Sequence, residues 1–181
     1  MSIIAEVHEW LKSFTSLPAV NLTFVNALPS VGMGYNTMPN NDSKISTFNN
    51  FLYKIESYFH PDLIGIACNT LSVLLSQTKF YCNFREKVVE IVETGIQHFV
   101  KYQQTVSKRY VVILGTKTTI ESNIHREKLI DFGIPSQLII SQSCPLLASA
   151  IEFDFMSQQT KRIIKDCVKS AVKNIKRKDS K

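Results

Sequence analysis

The sequence predicts an α/β fold of two pseudo-symmetric lobes, each a mainly parallel sheet flanked by helices. Three observations carry this. Short β-rich runs alternate with helical periodicities throughout, the pattern of parallel strands joined by right-handed crossovers. The unit of strand, polar turn and helix occurs around Cys68 and again around Thr116, as if two similar lobes faced each other. The 181 residues, 44% of them apolar, suffice for one modest domain or two small lobes with a buried core. The expected division gives a first lobe over 1–93, which carries Cys68, and a second over 94–181.

Each element has a local reason. Ile3, Val7, Trp10, Leu11 and Phe14 fall at helical spacing and predict an amphipathic helix over 2–14. Asn21 to Asn26 is β-rich and predicts a strand. The run 27–42, rich in Gly, Pro and Asn, predicts a loop long enough to carry function. Asp42 or Ser43 can cap the next helix, lined by Ile45, Phe48, Leu52, Ile55 and Phe59 and stopped by Pro61. A strand over 63–67 leads to Cys68. A helix follows from Asn69 and continues, broken, to Glu86. A strand is expected over 88–92, a helix from Thr94 to Gln104, and the clearest strand over 110–114. Thr118 or Thr119 opens a helix to Phe132, ended by Gly133 and Pro135. Gln137 to Ser141 predicts a strand, and Pro145 a helix start. Ile164, Val168, Ala171 and Ile175 predict a C-terminal amphipathic helix.

Composition excludes several classes. No apolar run approaches the roughly 20 residues that span a bilayer, and the N-terminal decapeptide carries acids without a basic leader. A cytoplasmic protein without a membrane partner is expected. Of the net charge of +6, the last ten residues hold five Lys or Arg against one acid. This reads as a solvated basic helix end. No face interleaves basic and aromatic residues, so no nucleic-acid partner is expected. The four cysteines, Cys68, Cys82, Cys144 and Cys167, form no CxxC pair and have no His at ligand spacing. Neither a zinc site nor a disulfide framework is indicated.

In open parallel sheets, sites form at the carboxyl ends of strands. Three strand ends here are polar: Cys68-Asn-Thr70, Gly115-Thr-Lys-Thr-Thr119 and Ser141-Gln-Ser-Cys144. A thiol between a strand and a helix is favoured as thiolate. Taken alone, Cys68 reads first as a buried structural cysteine, the commoner case; its position at a strand end and the Asn-Thr that follows reverse this in favour of chemistry. Thr116 and Thr119 could be helix caps. Tyr35 could be a loop aromatic, Glu152 a solvated helix residue, and His125 a surface residue. Cys82 and Cys167 read as packing residues.

The motifs resemble those of the glutamate racemases, in the aspartate/glutamate racemase superfamily. Asp62 to Thr70, ending Ala-Cys-Asn-Thr, is similar to the segment of the family's first catalytic cysteine. Val89-Glu-Ile-Val-Glu-Thr-Gly95 is similar to Gly-Ile-Val-Glu-Pro-Gly. Leu114 to His125 is similar to Ala-Thr-x-x-Thr-Val-x-Ser-x-x-Tyr, with Thr116, Thr119 and Ser122 on the motif and His125 in place of its Tyr. Cys144-Pro-Leu-Leu147 with Glu152 is similar to Cys-Pro-Leu-Phe…Glu. Gly34-Tyr35-Asn36 lies where the family has Pro-Tyr-Gly.

The resemblance implies a cofactor-independent isomerase that interconverts L- and D-glutamate, supplying D-glutamate for peptidoglycan, with no metal. It implies Cys68 as a catalytic acid/base. It implies Asn69, Thr70, Thr116, Thr119, Tyr35, Asn36 and Glu152 as substrate-binding residues. The expected partner is a small amino-acid substrate, glutamate by preference, with a homodimer left open. The family's opening Asp-Ser-Gly strand and its second cysteine, in a Cys-Thr-His segment, have no counterpart, and Cys144 matches a different motif. Two bases on opposite faces are the direct way to racemise an α-carbon. A one-cysteine decarboxylase-like relative and a non-catalytic binder of small acids are therefore the alternatives. The absent first strand would stand between 21–26 and 63–67, so the expectation is a weakly stable first lobe, or one paired with another chain.

Overall fold

A computed structural model describes residues 20–27, 34–103 and 110–179. The helix expected over 2–14 lies outside them. A 3-10 turn, Tyr35–Thr37, precedes the first described helix, α1 (Asn41–Phe59). Strand β1 (Ile64–Ile66) leads through Cys68 to α2 (Asn69–Leu75), then α3 (Lys79–Phe84) and β2 (Val88–Glu90). Helix α4 (Ile91–Gln103) precedes β3 (Val111–Gly115), α5 (Lys117–Glu121), α6 (Ile124–Asp131) and β4 (Ile139–Ser143). Helices α7 (Leu147–Asp154) and α8 (Gln158–Asp179) close the described chain.

The expected α/β architecture is present. Strands β1 and β2 pair in parallel, Ile64 opposite Val88 and Ile66 opposite Glu90. Strands β3 and β4 do the same, from Val111 opposite Ile139 to Gly115 opposite Ser143. Parallel neighbours need a crossover, and each pair is bridged by two short helices, α2 with α3 and α5 with α6.

Two apolar clusters hold these units. Phe48 and Leu52 of α1 meet Ile64 and Ile66 of β1, Leu71 and Leu75 of α2, and Phe80. Val73 and Leu74 of α2 meet Val92 and Ile96 of α4, Leu129 of α6 and Ile139 of β4. Helix α2 therefore belongs to both. Every residue from Thr70 to Leu75 is buried, as befits a helix that is apolar almost all round.

Several boundaries move, each for a physical reason. Residues 21–26 are not a strand. Leu22 and Phe24 are exposed, and no β partner satisfies the backbone there among the described residues. Asn40, rather than Asp42 or Ser43, caps α1, its side chain accepting the Ser43 N–H at 2.9 Å. Helix α4 begins at Ile91, because the Glu90 carboxylate accepts the N–H groups of Val92 and Glu93 and ends β2 early. The helix expected from Thr118 to Phe132 breaks at Asn123, whose φ of 61° is left-handed. Gly133, at φ 89°, ends α6 as expected. Strand β4 lies two residues later than expected, after a 3-10 turn at Ser136–Leu138. Helix α7 starts at Leu147 rather than at Pro145. Among the described residues no helix is long and apolar enough to cross a membrane.

Candidate active site

Cys68 stands where β1 ends and α2 begins. Its backbone is extended (φ −125°, ψ 115°), and it occupies the cap position without using its side chain to cap. The residue is exposed. The first N–H groups of a helix have no partner within it, so the turn at Cys68 offers backbone donors beside a thiol.

The end of β3 comes to this turn. Thr116 caps α5, its Oγ1 accepting the Thr119 N–H at 3.3 Å. Thr70, from the other sheet's strand end, lies 3.1 Å from Thr116, and Thr119 lies 3.0 Å from Thr116, all between hydroxyl oxygens. The third edge, Thr70 to Thr119, is 3.5 Å and marginal for O–H···O. The two short edges use two of the three hydroxyl protons, so the third either lies along the long edge or turns to a ligand. This cluster joins residues 46 apart in sequence and fastens the two strand ends to each other. Gly115 permits the approach, since a Cβ there would meet the Thr119 side chain at 3.1 Å.

Tyr35 packs edge-on against Phe48, with ring centroids 6.3 Å apart. Its ring is buried, and its hydroxyl is buried without a hydrogen-bond partner. Burial, and then the neighbouring Cys68, push the phenol up to about 12. The unfolded phenol ionises near 10. The stabilisation from keeping it neutral is thus complete below pH 10 and is lost as pH rises from 10 to 12. Loss on the order of 2 kcal/mol is expected across that window, and Tyr35→Phe is expected to abolish it. Urea midpoints of both proteins at pH 9 and pH 11.5 check this; parallel alkaline losses would count against it.

Asn36 follows on the same turn and is exposed. Glu152 belongs to α7, but its side chain lies outside the described residues. The third strand end adjoins the second, the Cys144 N–H donating to the Gly115 carbonyl at 2.8 Å. The Cys144 thiol itself is buried, with Sγ 3.6 Å from the Gln142 carbonyl. Burial, then the neighbouring Cys167, push it up to about 12. Such a thiol stays protonated at pH 8, and thiolate is the reactive form. Brief iodoacetamide treatment at pH 8 is therefore expected to label Cys68 and Cys82, both exposed, and to spare Cys144. Peptide mass mapping reads the pattern, and early modification of Cys144 would contradict its burial.

Two residues near the cluster were missed or misread from the sequence. Lys44 is buried and donates to Thr118 Oγ1 at 2.7 Å, and burial lowers its ammonium pKa. The signal was present: Lys44, Phe48 and Leu52 recur every four residues along the core face of α1. His125 is half-buried rather than a free surface residue, with Nε2 3.0 Å from Asn69 Oδ1.

No protein-family model matches the chain. A glutamate racemase from Hydrogenobaculum sp. (strain Y04AAS1) is 32% identical over 91 residues, half of this chain and 32% of that protein. Among solved structures, glutamate racemase from Campylobacter jejuni subsp. jejuni superposes with a TM-score of 0.59 at 20% identity, over 75% of this chain and 52% of the other. The chain is glutamate racemase-like, over part of that protein's length. The Francisella tularensis enzyme, solved in complex with D-glutamate, gives a TM-score of 0.60 at 20% identity over 48% of its length. The Aquifex pyrophilus enzyme gives 0.55 at 23% identity over 51%. The racemase-like chain thus spans about a third of its curated relative and about half of each of these structures.

Proposed function

We propose that the chain acts in cofactor-independent racemisation of glutamate, with Cys68 the acid/base on one face of the α-carbon. One observation carries this. Cys68 is an exposed thiol at a strand end, beside a buried unpartnered phenol and a cluster of threonine hydroxyls that joins its own turn to the facing strand end. The racemase relatives in sequence and fold supply the substrate class.

In this reading the Cys68 thiolate removes the α-proton of glutamate, and the electron pair delocalises into the adjacent carboxylate. Donors at the site hold that carboxylate and stabilise the charge that develops. They are the backbone N–H groups of the turn, Asn69, and the third hydroxyl proton of the Thr70, Thr116 and Thr119 cluster. Tyr35 and Asn36 border the same substrate site in this reading, and Glu152 is assigned to it by the family resemblance alone. Inversion requires a proton on the opposite face. Among the described residues Cys68 is the one exposed cysteine at a strand end. Cys144 is buried, with its thiol directed at the Gln142 carbonyl, and so is unsuited to that role; the described residues provide one acid/base of the pair. The division into lobes at 93/94, a cytoplasmic setting, supply of D-glutamate to peptidoglycan and a homodimer belong to the same proposal.

Incubation with L- and with D-glutamate in D2O, followed by NMR at the α-position, tests it. Exchange with inversion supports full racemisation, and exchange with retention supports a single working base. Absence of exchange with both enantiomers, at enzyme concentrations comparable to substrate, overturns the catalytic reading.

A further inference from the structure

His125 departs from the motif of the resembled family, and its setting gives that departure a use. It lies in the first turn of α6, and Nε2 meets Asn69 Oδ1 at 3.0 Å across 56 residues of sequence. A carbonyl oxygen only accepts, so Nε2 carries the proton. Nδ1 is buried and has no hydrogen-bond partner. One nitrogen is thus engaged and the other shielded, so the ring is unable to exchange protons with a ligand. The charged groups that act on it are Glu90, at the end of β2, and Lys128, on its own helix. Burial lowers its pKa most, Glu90 opposes and Lys128 assists. A neutral ring with its single proton on Nε2 also explains the bare Nδ1, because a second N–H there would be buried unpaired.

The consequence falls on Asn69, which is exposed and adjoins Cys68. An unrestrained exposed asparagine turns either its oxygen or its NH2 group towards a ligand. With Oδ1 held by the imidazole, the NH2 group is the end left free, a double donor. We propose that His125 is a positioning residue that locks the Asn69 amide so that it presents donors, and so favours a carboxylate ligand beside Cys68. The ligand half of this inference rests on the function proposed above; the positioning half stands on the contact alone.

The test reads both halves separately. The Asn69 side-chain NH2 signals, assigned by their loss in Asn69→Asp, are followed by ¹⁵N relaxation in wild type, His125→Ala and His125→Gln. Affinity for D-glutamate is measured by titration calorimetry on the same proteins and on Asn69→Ala and the double variant. His125→Ala is expected to mobilise the amide and weaken D-glutamate binding about tenfold, the worth of one neutral hydrogen bond. His125→Gln, which restores a donor, is expected to recover most of both. In the Asn69→Ala background His125→Ala should cost nothing further. An equally ordered amide in His125→Ala, or fully additive losses in the double variant, would overturn the positioning role. If the wild-type chain binds no glutamate, the ligand half falls with the racemase reading. Loss of amide order in His125→Ala would then still support the positioning half.

Discussion

Cys68→Ser is expected to lower α-proton exchange of glutamate by about 10²- to 10⁴-fold, the usual contribution of a positioned acid/base. Stability should hold or rise. The cysteine side chain makes no cap hydrogen bond, whereas serine is among the preferred residues at a helix N-cap. The exposed position also means that no cavity is created. Catalysis and folding should therefore move apart. Exchange rates from NMR in D2O and the thermal midpoint, taken on the same samples, are the two readouts. A variant that exchanges the α-proton at the wild-type rate would falsify the role of Cys68. A variant that loses rate and stability together would show that the thiol matters for packing instead.

Cys68 was legible in the sequence because everything that defines its position is local. An apolar run ends, small polar residues follow, and an almost continuous apolar stretch then forms α2. Thr116 was legible as a cap for the same reason, whereas Thr119 lies inside α5 and donates its N–H to that cap. Their meeting with Thr70 was not, since it joins positions 46 apart, and no periodicity encodes which strand ends adjoin. His125 illustrates the limit more sharply. It read as a surface residue on one helix from Thr118 to Phe132, but that helix breaks at Asn123, so no single face runs across the break. The segment 21–26 failed differently. Its β propensity is real, but a strand is a pairing, and propensity does not supply the neighbour. Cap chemistry was right in kind and wrong by two or three residues at α1, where four successive polar residues, Asn40 to Ser43, could each begin a helix.

The fold's weakest economy is that one short helix serves two cores, and Leu74→Ala exposes it. Leu74 is 1% exposed and packs with Val73 against Val92, Ile96, Leu129 and Ile139. Removing its side chain should cost about 2–5 kcal/mol in lost transfer energy and residual cavity. That is a large share of the roughly 5–15 kcal/mol that a domain has. Leu52→Ala, at 0% exposure within α1, should cost a similar amount in the other cluster. The two should differ in their effect on the site. Helix α2 begins directly after Cys68 and carries Asn69 and Thr70, so a shift of α2 into the Leu74 cavity stretches the short Thr70–Thr116 contact. Leu52 lies on α1 and acts on α2 from outside, in a cluster that also holds Leu71, Leu75 and Tyr35. Urea unfolding gives the stability of each variant, and titration with D-glutamate under conditions where both remain folded gives the affinity. Equal losses of stability with a greater loss of affinity in Leu74→Ala is the expected result. Equal affinities would mean that the threonine cluster, rather than the apolar packing of α2, fixes the position of Cys68.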